Sequence, residues 1–259
     1  MLNNSCEIMG VLNITPDSFY DGKYLSKSSL QKKFQNLESS DIIDIGAEST
    51  RPGSKPLHEK EEIRRIEEFI SLNLTHKKLS IDSYKSKVIE FCLINGFNMI
   101  NDISGGGKNF ENIDLSKEYD VPIVIMHMQG NPLSMQQNPN YKNLIDEISM
   151  FFDLRLNYAS KIGLNLDKII LDPGIGFGKS FNNNYEIIKN INEFKKFNCK
   201  ILIGLSRKSM LNFNNNLPKD RLYKSLTMQA ISVLNGANII RTQDPIETRD
   251  SLDPVLKLK

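Results

Sequence analysis

The feature of this sequence that most constrains its fold is a repeated alternation between short apolar runs and longer amphipathic segments. The runs are three to six residues long, rich in isoleucine and apolar almost throughout, which is typical of strands buried on both faces of a parallel sheet. Eight such runs occur: Ile8–Asn13, Ile42–Gly46, Leu79–Asp82, Met99–Asp102, Ile123–His127, Ile169–Asp172, Ile201–Leu205 and Ile239–Arg241.

The segments between the runs have the period of helices that cover a sheet with one apolar face. The clearest are Glu61–Leu74, Leu144–Ile162, Tyr185–Phe197 and Arg221–Leu234. Gly96, Gly163 and Gly236 stand where helices are expected to end, because glycine readily adopts the left-handed conformation that closes a helix. Alternating units of this kind predict a parallel sheet with helices outside it.

Eight units fill a chain of 259 residues and leave no length for a second domain. We therefore expect residues 1–259 to form a single α/β domain, a (β/α)8 TIM barrel. An open doubly wound sheet is the competing arrangement, because strands that are apolar throughout fit either fold.

Composition excludes several classes of protein. Lys and Arg number 33 against 31 Asp and Glu, a formal net charge of +2, so no strong field favours nucleic acid or an anionic membrane. No apolar run approaches the ~20 residues of a membrane span, and the first residues do not resemble a signal peptide. The scattered Cys6, Cys92 and Cys199 are typical of free thiols in a reducing compartment. We expect a cytoplasmic protein.

Nearly every apolar run ends in a polar residue. In a parallel barrel these ends open on the same face, where active sites are built. The residues are Asn13, Asp82, Asn101, Asp102, His127, Asp172, Ser206, Arg207, Lys208 and Arg241. Any one of them alone is more simply interpreted as a loop brace or a helix cap. A ring that combines carboxylates, a lysine and arginines instead predicts a binding site.

The acceptors in this ring suit a flat heterocycle. Asp82, Asn101 and Asp172 can accept hydrogen bonds from an exocyclic amine and a ring N–H, since a carboxylate accepts two parallel donors. Lys208 and Asn101 could then donate to ring carbonyl and nitrogen acceptors.

The cations in the ring suit a phosphate. Arg51, Lys208 and Arg241 come from three different units but are expected on one face. Asn13 could add an oxygen ligand for a hydrated Mg²⁺ on a pyrophosphate.

The stretch Gly174–Ser180 looks like a phosphate-binding loop but does not fit the known motifs. A Walker A motif needs glycine where Pro173 stands, and a dinucleotide fingerprint needs a different glycine spacing. We expect its glycines to let the backbone approach a flat ligand, with Phe177 nearby. The three histidines lack metal-ligand spacing, and His127 either lines the mouth of the barrel or is structural.

Seven motifs, in order, resemble those of the dihydropteroate synthases. They are Met9–Phe19, Asp44–Gly53, Ser80–Ser83, Ile100–Ile103, Met126–Gly130, Asp172–Lys179 and Ser206–Ser209. The resemblance implies an enzyme of folate biosynthesis, a transferase that condenses 6-hydroxymethyl-7,8-dihydropterin pyrophosphate with p-aminobenzoate. It also implies a Mg²⁺ cofactor, a homodimer formed through the last helices, and a p-aminobenzoate site of the kind that sulfonamides occupy.

The resemblance also assigns residues to roles. The pterin would contact Asp82, Asn101, Ile103, Met126, Asp172, Phe177, Gly204, Lys208 and Arg241. The p-aminobenzoate would contact Phe19, Thr50, Arg51, Pro52 and Ser209. The pyrophosphate would contact Asn13, Arg51, Arg241 and Gln243, with Asn13 also a ligand of Mg²⁺. The catalytic residues would be Asp82, Lys208, Arg241 and Arg51.

One departure from the family pattern keeps other functions open. The chain has Gln243 where the family commonly has histidine, and glutamine cannot be cationic, so we expect weaker pyrophosphate binding. A pterin-binding paralogue without activity is one alternative. A pterin-dependent methyltransferase barrel is another, although it should lack the Ser49–Gly53 and Ser206–Ser209 loops. A phosphosugar barrel should have a glycine-rich phosphate site after its last strands.

Overall fold

The structure is a computed structural model that describes residues 5–15, 27–48, 56–75, 78–130, 135, 139–213, 215 and 217–258. Within these residues eight parallel strands pair in chain order, and the last strand pairs with the first to close a barrel. The predicted TIM barrel is therefore confirmed, and the open sheet is excluded.

The strands agree closely with the apolar runs. They are β1 Glu7–Asn13, β2 Ile42–Gly46, β3 Leu79–Asp82, β4 Met99–Asp102, β5 Ile123–Met126, β6 Ile169–Asp172, β7 Lys200–Ile203 and β8 Ile239–Thr242. The helices that cover them are α1 Lys27–Gln35, α2 Glu59–Ile70, α3 Ser86–Ile94, α4 Glu111–Glu118, α5 Leu144–Lys161, α6 Phe181–Lys189, α7 Leu222–Leu234 and α8 Pro245–Leu256.

The predicted helix Tyr185–Phe197 is wrong at both ends. The helix begins one turn earlier because Ser180 and Asn183 form a capping box. It ends at Lys189, and a 3-10 helix continues over Ile191–Phe197. The side chain of Asn190 donates to the carbonyl of Glu186 at 2.8 Å at this junction.

Side chains alternate between the two faces of each strand, and this alternation places the site. One layer inside the barrel is apolar and consists of Met9, Ile42, Met99, Val124, Ile170, Leu202 and Ile239. Residues of the opposite parity, such as Ile43, Ile81 and Leu171, belong to the larger core beneath the helices. Two residues beyond the apolar layer, the interior positions become Val11, Asp44, Asn101, Met126, Asp172, Gly204 and Arg241, four of which are polar or charged. A polar layer therefore lies on an apolar floor at the carboxyl ends of the strands.

Candidate active site

An arginine bridges two carboxylates in this polar layer. Nε of Arg241 donates to Oδ2 of Asp44 at 2.7 Å, and its NH2 group donates to Oδ2 of Asp82 at 2.6 Å. The Asn101 amide donates to the same Asp44 oxygen at 2.8 Å. Side chains from β2, β3, β4 and β8 thus converge on one point, as the ring of polar strand ends predicted.

Asp82 is the most electrostatically perturbed member of this group. Burial raises its pKa to about 7; the Arg241 guanidinium opposes this rise, and the Asp44 carboxylate adds to it. Its Oδ1 is buried and has no hydrogen-bond partner among the described residues. Since a buried acceptor without a partner is costly, this oxygen is suited to a ligand donor.

Asp172 and Lys208 form the second charged part of the site. Oδ1 of Asp172 accepts from the Gly174 N–H at 2.7 Å. Burial raises the pKa of Asp172, with the ammonium of Lys208 as the first opposing influence. Burial also lowers the pKa of Lys208 to about 8, against the attraction of Asp172. Its Nζ donates to the carbonyl of Ile175 and lies 4.6 Å from the centre of the Phe177 ring.

The glycine-rich loop after β6 packs closely against the loop after β5. A Cβ on Gly174 would lie 1.9 Å from the carbonyl oxygen of His127, and one on Gly178 would lie 2.5 Å from that of Gln129. These two glycines therefore allow two loops to touch. At Gly176 the nearest atom is Lys208 Cδ, 3.3 Å from its Cβ position, so among these three glycines it is the one that faces a site residue. Close approach of a flat ligand to this loop stays a prediction.

His127 and Lys179 connect the same two loops beneath the site. Nζ of Lys179 lies 3.0 Å from Nδ1 of His127 and donates to the carbonyl of Phe177 at 2.9 Å. Burial lowers the pKa of His127 to about 3 and that of Lys179 to about 7. The imidazole is therefore neutral near neutral pH, and its Nδ1 shares a hydrogen bond with the Lys179 amine. The burial of His127 and its contact with Lys179 favour the structural interpretation of this residue.

Comparison with known proteins agrees with this geometry. A family model described as pterin binding enzyme matches residues 9–243. The dihydropteroate synthase of Escherichia coli strain K12 is 36% identical over 251 residues, which cover 95% of this chain and 89% of the relative. The chain belongs to the dihydropteroate synthase family.

Solved structures of the dihydropteroate synthases support the same assignment. The Yersinia pestis enzyme, in a sulfonamide drug complex, superposes with a TM-score of 0.91 at 34% identity, covering 98% of this chain and 94% of that one. The Xanthomonas albilineans enzyme with 4-aminobenzoic acid gives a TM-score of 0.88 at 30% identity, with 98% and 93% covered.

The structure brings most of the predicted pterin residues of this family together. Met126 pairs in register with Asp172, and the buried Ile103 follows β4 directly. A Cβ on Gly204 would lie 3.7 Å from Cβ of Arg241, which explains why a glycine stands there. Four predicted site residues, Phe19, Thr50, Arg51 and Pro52, lie outside the residues that the structure describes.

The two remaining predicted contacts lie at the rim of the barrel mouth. Ser209 is exposed and begins a short 3-10 turn directly after Lys208. Gln243 is also exposed, and its backbone N–H donates to the Ser206 hydroxyl at 3.4 Å.

The predicted magnesium ligand, Asn13, is the last residue of β1. Among the described residues no cluster of three His, Cys, Asp or Glu side chains could hold a metal ion. Asn13 Oδ1 and Asp82 Oδ2 lie 3.5 Å and 3.4 Å from where a Cβ on Gly46 would be, so this glycine keeps the space above them open. One amide oxygen suits Mg²⁺ that takes its other ligands from phosphate and water.

Sequence reasoning assigned no role to Asp44, which the structure places at the centre of the network. The sequence does contain a signal for this role, because Asp44 is an acidic residue in the middle of an otherwise apolar strand and faces the barrel interior. A second unassigned pair is Arg207 and Asp244, whose side chains are joined by two hydrogen bonds beside the Ser206–Ser209 loop. No helix in the described part of the chain is long and apolar enough to cross a membrane.

Proposed function

We propose that this chain joins the methylene carbon of 6-hydroxymethyl-7,8-dihydropterin pyrophosphate to the amine of p-aminobenzoate, giving 7,8-dihydropteroate and pyrophosphate. Membership of the dihydropteroate synthase family supports this reaction. The observation that carries it is the convergence of Asp82, Asn101, Asp172, Lys208 and Arg241 at one end of one barrel.

The polar layer is suited to read the edge of a pterin. Two buried carboxylates, Asp82 and Asp172, can accept from the ring N–H and the exocyclic amine, which are paired donors. The Lys208 ammonium can donate to a ring carbonyl or nitrogen. The Asn101 amide adds a further donor and an acceptor. The apolar floor below and Met126 beside the site suit the faces of the ring.

The chemical step depends on stabilising a carbon cation and a departing pyrophosphate more than on transferring a proton. The C–O bond to pyrophosphate breaks, its electron pair leaves with pyrophosphate, and the methylene carbon becomes a cation delocalised into the dihydropterin. Asp82 and Asp172 favour that cation, and Arg241 together with Arg51 favours the departing pyrophosphate. The aniline nitrogen then bonds to the carbon and loses a proton. This nitrogen is a free nucleophile near neutral pH, so no strong general base is needed.

Two components of this proposal rest on the family resemblance. Bound Mg²⁺ would neutralise charge on pyrophosphate, and Asn13 is the residue that would hold it. Phe19, Thr50, Pro52 and Ser209 would hold p-aminobenzoate in line with the carbon and keep water away from the cation. Activity that disappears with a chelator and returns with Mg²⁺, but not after Asn13→Ala, would support the metal assignment.

Pyrophosphate release from the purified chain tests the reaction, because it should depend on p-aminobenzoate. In single turnover we expect Asp82→Ala and Lys208→Ala to lose product formation by at least about a hundredfold. Lys78→Ala is the matched control: Lys78 lies at the opposite end of the barrel, paired with Glu7. Wild-type rates in both site variants would contradict the proposal.

A pterin-binding protein without activity is the second candidate, and Gln243 is the observation that favours it. Measurement of pterin binding and turnover in the same preparation separates the two functions. Binding without turnover would favour the inactive paralogue, and turnover in Gln243→His alone would identify this residue as the cause. The comparisons identify synthases, which argues against a methyltransferase barrel.

We further propose a cytoplasmic homodimer. Exposed apolar side chains are concentrated near α6 and α7, with Phe213 57% and Tyr223 81% exposed. Such a patch is typical of an interface between subunits. Tyr223→Lys should shift the sedimentation coefficient toward that of a monomer, whereas Met150→Lys, on the exposed face of α5, should not.

The thiols of Cys6, Cys92 and Cys199 support the cytoplasmic part of the proposal, because cysteines outside disulfides suit a reducing compartment.

A further inference from the structure

We infer that Asp44 is a positioning residue of the pterin site: it holds Arg241 and Asn101 in place while Arg241 exchanges Asp82 for pyrophosphate. The inference rests on the proposed function and adds a residue and an exchange of partners to it.

Asp44 is a carboxylate buried in the middle of an apolar strand. It lies in the middle of β2, is 0% exposed, and stands between Ile43 and Ile45, which point into the helix layer. A buried carboxylate is costly unless charged or polar donors surround it. Its Oδ2 accepts from two donors, the Arg241 guanidinium at 2.7 Å and the Asn101 amide at 2.8 Å. Both donors belong to residues that the proposed reaction uses.

Asp44 determines the orientation of the Asn101 amide. An ionised carboxylate can only accept hydrogen bonds, so the amide must turn its nitrogen toward Asp44. The amide oxygen and the second N–H then remain for the pterin. Without a negative charge at Asp44 the amide could rotate by half a turn and present the opposite pattern to the ring.

Asp44 and Asp82 hold different ends of the Arg241 guanidinium. Nε is bonded to Asp44, whereas the NH2 group is bonded to Oδ2 of Asp82. A ligand with paired donors uses both oxygens of Asp82, so its donor at Oδ2 competes with the Arg241 NH2 group and can displace it. The first bond can persist, because Asp44 lies in the middle of β2 and is fully buried, whereas Asp82 is the last residue of β3. The released NH2 end, still held at Nε, is then available to pyrophosphate.

A double-mutant cycle tests whether Asp44 acts through Arg241. The variants are Asp44→Asn, Arg241→Gln and the double variant, and the readout is the affinity for 6-hydroxymethylpterin by fluorescence titration. We expect Asp44→Asn to weaken binding about tenfold in the wild-type background, the scale of one charge-assisted hydrogen bond. In the Arg241→Gln background we expect about threefold or less, the remainder acting through Asn101. Equal losses in both backgrounds would overturn the inference.

Asp102→Asn is the matched control. Asp102 is also 0% exposed, but it accepts from Ser104, the Gly106 N–H and Asn112 and makes no bond to Arg241. Its effect on binding should be the same with and without Arg241→Gln.

A second measurement does not depend on whether Asp44→Asn folds. In the wild-type chain, 6-hydroxymethylpterin should raise the affinity for inorganic pyrophosphate by several-fold, because it releases Arg241. Arg241→Gln should abolish this coupling. Absence of coupling in an active wild-type enzyme would overturn the inference and leave the proposed reaction intact. Failure of the wild-type chain to bind the pterin at all would instead refute the proposed function.

Discussion

Lys208 allows the sharpest test of the site, because its charge should affect binding and stability in opposite directions. We consider Lys208→Met, which removes the ammonium but keeps most of the side-chain volume, and Lys208→Arg, which keeps the charge. In the unliganded protein the ammonium is bonded to the Ile175 carbonyl and lies over the Phe177 ring.

The magnitude of the binding effect follows from the contact that would be lost. A hydrogen bond from a charged donor contributes ~1.5–3 kcal/mol, so Lys208→Met should weaken pterin binding between about tenfold and a hundredfold. The cation–π contact with Phe177 contributes only ~0.5–1 kcal/mol and cannot explain a loss of that size. Asp172 should add to the loss of pterin binding. Lys208 is the first influence that opposes the rise in the pKa of Asp172, so without Lys208 this carboxyl is more readily protonated and is a poorer acceptor.

The pH dependence separates binding from stability. Because the pKa of Lys208 is lowered from 10.5 to about 8, wild-type pterin affinity should fall as the pH rises through about 8. Over the same range, up to 10.5, the unfolded chain binds more protons than the folded chain, so this residue should make the unliganded protein more stable as the pH rises. The lowered pKa corresponds to at most ~3 kcal/mol of unfolding free energy.

Titration with 6-hydroxymethylpterin from pH 6 to pH 10 (about two pH units on either side of 8), together with urea unfolding at each pH, measures both quantities. Lys208→Arg should retain binding above pH 8, because a guanidinium stays charged. The ligand's own ionisation affects every variant alike, so the difference between wild type and this variant isolates the protein. An identical pH profile in the two proteins would refute the reasoning.

Three further predictions concern the surrounding loops. Gly174→Ala would force a Cβ to 1.9 Å from the His127 carbonyl oxygen at a φ of +72°, and should lower the free energy of unfolding by ~3 kcal/mol or more in urea; Gly96→Ala, with no atom within 4 Å, should cost only ~1 kcal/mol. The pKa of His127 is lowered from 6.5 to about 3, so the free energy of unfolding should fall as the pH falls below 6.5. His127→Gln should reduce that fall by ~2 kcal/mol at pH ~4. The same slope of stability against pH in both proteins would contradict this prediction. Gln243→His should tighten pyrophosphate binding several-fold below pH ~6.5, where the imidazole is charged, and an unchanged affinity by calorimetry would show that the residue does not reach the anion.

The strands were predictable because each is buried on both faces. A run such as Ile169–Asp172 is apolar until its last residue, so the pattern marks both the strand and its end. The boundary between α6 and the following 3-10 helix was not predictable in the same way. The apolar period continues from Tyr185 to Phe197, whereas local bonds by Ser180 and Asn190 fix where the helix begins and ends.

The identity of the site residues was predictable, but their pairing was not. Position at a strand end predicts that Asp82, Asn101 and Arg241 share a face, because all parallel strands of a barrel open at the same end. Which carboxylate accepts from which donor depends on depth within the barrel, and that depth follows from the strand register. The contact between Asp44 and the Arg241 guanidinium depends on the register of β2 against β3, which the sequence does not determine.

The bridging guanidinium also sets a condition for inhibitors. A compound shaped only to the surface of the unliganded site would leave the bond between Arg241 and Asp82 intact. To bind Asp82 itself, a compound must offer this carboxylate donors as good as the guanidinium donor that it displaces. Fragments with an amidine or aminopyrimidine edge meet that condition, whereas purely hydrophobic or carboxylate-bearing fragments do not, and a fragment screen on this chain should be enriched accordingly.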